Sequence, residues 1–139
     1  MKEIEKEIKV TKTETIYVAD DGKEFKNLYD CRDYEINKRY ENIKKYELES
    51  LRSLVPLDYD GMSDESGFVW YKVNNLEEYN EIENAFSNME WYHKHSPNSF
   101  PATFCIEDYN GWLTMHYLDE IINNTKRYFE KFGLKTTIE

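Results

Sequence analysis

Thr103-Phe104-Cys105-Ile106-Glu107-Asp108-Tyr109-Asn110-Gly111-Trp112-Leu113-Thr114-Met115-His116-Tyr117 is the stretch that decides the fold. Asn110-Gly111 lies between two runs that alternate apolar and polar residues. That pair takes up the positive φ angles of a two-residue turn whose twist matches its flanking strands, so the segment reads as a β-hairpin. Counting outward from the turn, Tyr109 pairs with Trp112 and Cys105 with His116. Phe104, Ile106, Leu113, Met115 and Tyr117 then share the core face. Thr103, Cys105, Glu107, Tyr109, Trp112, Thr114 and His116 share the other.

Working outward, Phe68-Val69-Trp70-Tyr71-Lys72-Val73 is apolar almost throughout and reads as a central strand. Asn75 followed by Glu78 has the spacing of a capping box. Leu76, Tyr79, Ile82, Phe86 and Met89 mark one face of the helix it opens, which Ser96–Pro101 terminates. After the hairpin, Leu118, Ile121, Ile122, Thr125, Phe129 and Phe132 predict a helix from Asp119 that Gly133 stops, with Leu134–Ile138 as a last short strand.

Upstream, Ile8, Val10, Ile16 and Val18 predict one strand, its apolar face interrupted by Lys12 and Glu14, ending at the turn Asp20-Asp21-Gly22. Asn27 is the expected N-cap of a long amphipathic helix, with Leu28, Cys31, Ile36, Tyr40, Ile43, Tyr46, Leu51 and Leu54 inward, running to Pro56. The order is β-α-β-α-β-β-α, with a further β at the end. It predicts an α+β fold: a mixed or antiparallel sheet of about four strands and three helices gathered on one face. A length of 139 residues suits a single domain over 1–139.

The net charge of −10 is unevenly spread. Residues 58–90 hold nine acids against Lys72 alone, and so carry −8 of it. Such a block disfavours direct nucleic-acid binding, where Lys and Arg must neutralise phosphates, and favours a basic protein surface as partner. The candidate contact residues are Asp58, Asp60, Asp64, Glu65, Glu77, Glu78 and Glu81. Tyr109 and Trp112, on the hairpin's outer face, join them because exposed aromatics dominate binding hot spots. A second hydrophobic layer or a homodimer seam is the other use for these aromatics.

Cys105 opposite His116, with His93 and His95 nearby, is the one constellation from which a zinc- or thiol-dependent enzyme could be built. The loop Asp58–Glu65 places acids as a calcium loop does, but Gly61 stands fourth and Trp70 twelfth, against the sixth-position glycine and twelfth-position glutamate of an EF-hand. No phosphate loop or nucleophile elbow is present, so the expectation is a protein that is not an enzyme and takes no cofactor or metal. Two cysteines without Cys-x-x-Cys spacing, no run of 18 apolar residues and a charged amino-terminal segment predict a cytoplasmic protein with no membrane contact.

Tyr17-Val18-Ala19-Asp20-Asp21-Gly22-Lys23-Glu24-Phe25, followed by Cys31 and Tyr34-Glu35, resembles the opening of many small uncharacterised phage and prophage accessory proteins. The resemblance covers about the first quarter of the chain and carries no residue-level function. It implies an accessory protein of a mobile element, a group that includes inhibitors of host defence such as the anti-CRISPR proteins. The leading expectation is therefore an acidic inhibitor of a host nucleic-acid-binding effector, acting in the host cytoplasm. A structural or dimerising phage component is a further alternative.

Overall fold

In the computed structural model the chain forms two compact units, Met1–Lys44 and Lys45–Glu139, and residues 1–8, 12–59, 61 and 66–135 are described. The fold is α+β; among the described residues there are three α-helices and two sheets, of three and four strands.

The first unit holds β1 (Lys2–Ile8), β2 (Lys12–Val18), β3 (Glu24–Phe25) and α1 (Leu28–Ile43). The single strand expected over Ile8–Val18 is instead two antiparallel strands, β1 and β2, paired from Lys2↔Val18 to Ile8↔Lys12. The polar interruption at Lys12 and Glu14 lies at the start of the second strand. The turn at Asp20–Gly22 forms as expected, with Gly22 at φ 92° and its N–H donating to the Ala19 carbonyl at 2.9 Å. It returns the chain to pair β3 with β2. Asn27 caps α1 by accepting from the Tyr29 N–H at 2.7 Å.

The helix stops at Ile43, well short of Pro56, because the next residues serve the other sheet. The Leu48 N–H donates to the Trp70 carbonyl and the Ser53 N–H to the Phe68 carbonyl, while the Trp70 indole N–H donates to the Leu54 carbonyl at 2.8 Å. The segment 47–54 thereby covers an otherwise open strand edge, a use of backbone groups that outweighs helix periodicity.

The second unit is built on β4 (Gly67–Val73), β5 (Glu90–His93), β6 (Ala102–Tyr109) and β7 (Trp112–Tyr117), in the order β4-β6-β7-β5. β6 and β7 pair antiparallel with the register counted from Asn110-Gly111: Tyr109↔Trp112, Cys105↔His116, Phe104↔Tyr117. Asn110 and Gly111 both have positive φ, and Asp108 Oδ1 accepts from the Gly111 N–H at 2.9 Å. β5 pairs parallel to β7 where a continuing helix was expected; α2 (Leu76–Ala85) ends early, and Trp91 packs edge-on against Phe86. α3 is Leu118–Glu130, and Gly133 follows at φ 72°. Of the expected last strand, 136–139 lie outside the described residues.

The helices do not share one face of this sheet. α2 covers the face of Phe104, Leu113, Met115 and Tyr117, with Tyr79 and Ile82 buried and the Tyr79 and Phe104 rings 6.1 Å apart. On the other face Ile121 of α3 joins Phe68, Trp70 and Cys105, with Leu48, Leu51 and Tyr59 packed against them. The β4–β6 register places Trp70 beside Cys105, so this face is apolar at its centre.

Candidate functional site

The polar residues of the α3 face form one connected chain. His116, its side chain only 10% exposed, has Nδ1 2.9 Å from Asp58 Oδ1 and Nε2 2.9 Å from Glu107 Oε1. The Ser66 hydroxyl donates to Glu107 Oε2 at 2.9 Å. Both imidazole nitrogens lie within hydrogen-bond distance of a carboxylate, so the ring ties strand β7 to the segment before β4.

Cys105 lies opposite His116 as counted, but it is fully buried, and burial pushes its thiol up to about 12. A nucleophilic or metal-binding cysteine needs access and thiolate character, and Cys105 has neither at neutral pH. The three histidines do not converge. His95 stacks on Tyr117, ring centroids 4.5 Å apart, on the opposite face from His116, and its Nε2 lies 2.9 Å from Glu120 Oε1. His93 lies 5.5 Å from His95. Among the described residues no group of three or more His, Cys, Asp or Glu is arranged to hold a metal ion.

The acidic residues divide. Asp60, Asp64 and Glu65 lie outside the described residues. Asp58 is taken up by His116 on the α3 face. Glu77, Glu78 and Glu81 belong to α2, on the opposite face. The expected capping pair forms with a shift of one residue: Asn75 Oδ1 accepts from the Glu78 N–H at 2.9 Å, while Glu78 Oε1 accepts from the N–H of Asn74, the residue before the cap, at 2.7 Å. Glu81 accepts from the Tyr46 hydroxyl at 3.0 Å and lies 3.6 Å from Lys45 Nζ. Glu77 is exposed one turn before it. Like charges four residues apart repel by a few tenths of a kcal/mol, and the lysine offsets part of that.

Tyr109 and Trp112 are exposed, at 42% and 51%, and sit opposite one another at the hairpin tip. The tip adjoins the Gly67 end of β4 and α2 starts beyond the Val73 end. The aromatic pair and the acids of the first turn of α2 are thus separated by a seven-residue strand, about 20 Å. Glu107 was legible as a neighbour of the Cys105–His116 pair; Asp58 as the second partner of His116 was not, because no local pattern joins residues 58 apart.

Comparison with protein-family models, curated proteins and solved structures finds no match to this chain. Among the described residues no helix is long and apolar enough to cross a membrane.

Proposed function

We propose that this protein is a non-enzymatic binding protein that engages a basic, nucleic-acid-binding surface of another protein, and that it acts as an inhibitor of a host defence effector in the host cytoplasm. The observation that carries this reading is the concentration of −8 of the net charge in residues 58–90. The amino-terminal resemblance to phage accessory proteins supplies the defence context.

The reading assigns different work to the two groups of exposed residues. Glu77 and Glu81, on the outer side of α2, steer encounter with a cationic surface, an effect that acts on association rate and weakens with salt. Tyr109 and Trp112 present amphipathic rings at low conformational cost and slow dissociation. Asp58 is held by His116 and belongs to the fold.

The test is competition. Purified protein is titrated against an RNA-guided host nuclease, with and without its nucleic acid, at several salt concentrations. Binding that nucleic acid displaces and salt weakens is expected; binding indifferent to both ends the charge-mimicry reading. The buried state of Cys105 weighs against a thiol enzyme. Alkylation of the native protein at neutral pH checks this, with rapid labelling of Cys105 as the result that would restore that alternative.

A further inference from the structure

We infer that the exposed carboxyl-terminal part of α3 is a docking surface for α2 of a second copy of this chain, a head-to-tail contact between opposite faces of the four-stranded sheet.

α3 carries one apolar stripe: Ile121, Ile122, Thr125, Tyr128, Phe129 and Phe132 keep to one side of the helix. The sheet uses only its beginning, since Ile121 is the one buried residue of α3. Further along, Tyr128 is 60% exposed and Phe132 66%, their rings 5.4 Å apart, and Leu134 follows at 54%. Single apolar residues scattered over a surface are ordinary. Two neighbouring rings and a leucine that continue a buried stripe form a patch lacking its other half.

Charge identifies that half. Residues 126–135 hold Lys126, Arg127, Lys131 and Lys135 against Glu130 alone, in a chain whose net charge is −10. Elsewhere in the second unit Lys45, Arg52 and Lys94 are ion-paired, whereas among the described residues these four cations make no ion pair. An acidic partner is therefore required. Two α3 ends set against each other would oppose cation to cation, which rules against a symmetric α3 pair.

The outer side of α2 has the complementary composition. Glu77 and Glu81 are exposed one turn apart, beside Leu76 at 53% exposure. Arg127 and Lys131 have the same one-turn spacing beside Tyr128 and Phe132, so the cations can meet the carboxylates while the rings cover Leu76. Glu81 is shared with Lys45 at 3.6 Å, and Glu77 makes no ion pair among the described residues. Because α2 and α3 cover opposite faces of one sheet, these surfaces meet only between copies. A contact between two different surfaces repeats along a row instead of closing at two chains. It does not depend on the proposed host effector.

Sedimentation velocity of the full chain tests the contact. At about 0.1 M salt the mean mass should climb with concentration past that of two chains; at about 1 M, where screening shortens to about 3 Å, it should fall toward the 16.8 kDa monomer. Tyr128→Ser with Phe132→Ser, and separately Glu77→Lys with Glu81→Lys, should each weaken self-association by about tenfold or more, equivalent to about 1.4 kcal/mol, with far-UV circular dichroism unchanged. Mixed in equal amounts, the two variants should restore a dimer that grows no further, since one supplies an intact α2 and the other an intact α3. Should the serine variant fail to fold, Arg127→Glu with Lys131→Glu carries the same expectation for self-association. A monomer at every concentration, growth that stops at two chains, self-association kept by either folded variant, or a mixture that stays monomeric would overturn the assignment. So would capture of a non-associating chain, through Tyr128 and Phe132, by phosphatidylcholine–phosphatidylglycerol vesicles or by a single-stranded oligonucleotide, which would give the face to that partner instead.

Discussion

The two faces of the four-stranded sheet are packed by different means. On the α2 face Tyr79, Ile82, Phe104 and Leu113 are buried and aromatic rings interlock at 5.5 to 6.4 Å, so cohesion is dispersive and spread over many contacts. On the α3 face an apolar centre at Trp70 and Cys105 is flanked by the chain Asp58–His116–Glu107–Ser66, and the hairpin tip beyond it is open. The first arrangement tolerates few changes of volume and is indifferent to charge. The second depends on a few oriented polar groups and leaves surface available for a partner.

The largest effect is expected on the α2 face. Phe104→Ala removes a fully buried ring that contacts Tyr71, Tyr79 and Tyr117, and should cost about 3–5 kcal/mol through lost transfer energy and the cavity left behind. Urea unfolding followed by tryptophan fluorescence reads this in the second unit, because Trp70, Trp91 and Trp112 all lie there. A loss below 1 kcal/mol would break the contrast between the faces.

His116→Ala comes next. It leaves Glu107, 14% exposed, and Asp58, 33% exposed, without their shared donor. Breaking a fully buried pair costs about 3–5 kcal/mol, and the partial exposure of Asp58 lowers the expectation to about 2–3 kcal/mol. Asp58→Asn should cost less, since water reaches that carboxylate. The coupling in a double-mutant cycle of the two sites measures how far the ring acts as a tie; additivity would remove the tie.

How much of this contrast could be read from the sequence follows from how local its causes are. The hairpin register was legible to the residue because Asn110-Gly111 permits one turn and alternation does the rest. Asn27 and Asn75 were legible as caps for the same reason. The extent of α1 was not, since Leu48, Leu51 and Leu54 keep helical spacing while their backbone is drawn to β4 and the indole of Trp70. Nor was the cover over Cys105, which makes the hairpin's outer face a second core at its centre. Asp58 carried the same signal as the other acids of the block, and only its 2.9 Å approach to His116 sets it apart.

A third effect is confined to alkaline pH. The folded thiol of Cys105 is held protonated to about 12, whereas an unfolded thiol ionises near its ordinary value of 9. Between those values the native state binds more protons than the unfolded state, so stability is whole below about pH 9 and is lost as pH rises toward 12, at up to about 1.4 kcal/mol per pH unit. Burial shifts Tyr117 in the same direction. The Cys105 share is the part of the slope that Cys105→Ala removes between pH 8.5 and 10.5, measured by urea midpoints. An unchanged slope would show that the thiol is less enclosed than its neighbours imply.

The smallest effect on stability should accompany the largest on recognition. Trp112 is 51% exposed at the hairpin tip and its partner across the turn, Tyr109, is 42% exposed. Trp112→Ala removes the cross-strand neighbour of Tyr109 but opens no cavity, so its cost should stay within about 1 kcal/mol. The turn that sets the register is held by Asp108 and the positive φ of Asn110 and Gly111, none of which is altered. If the tip holds a partner after charge has guided it in, surface plasmon resonance against the same nuclease should show a dissociation rate raised by about tenfold or more, with the association rate nearly unchanged. Glu77→Lys combined with Glu81→Lys should do the reverse, slowing association at low salt and leaving dissociation nearly unchanged. The two variants thus separate the hairpin tip from the outer side of α2. Should both slow association alike, one continuous charged contact replaces the division of labour; should neither alter either rate, both surfaces fall outside the interface and the charge of segment 58–90 serves solubility alone.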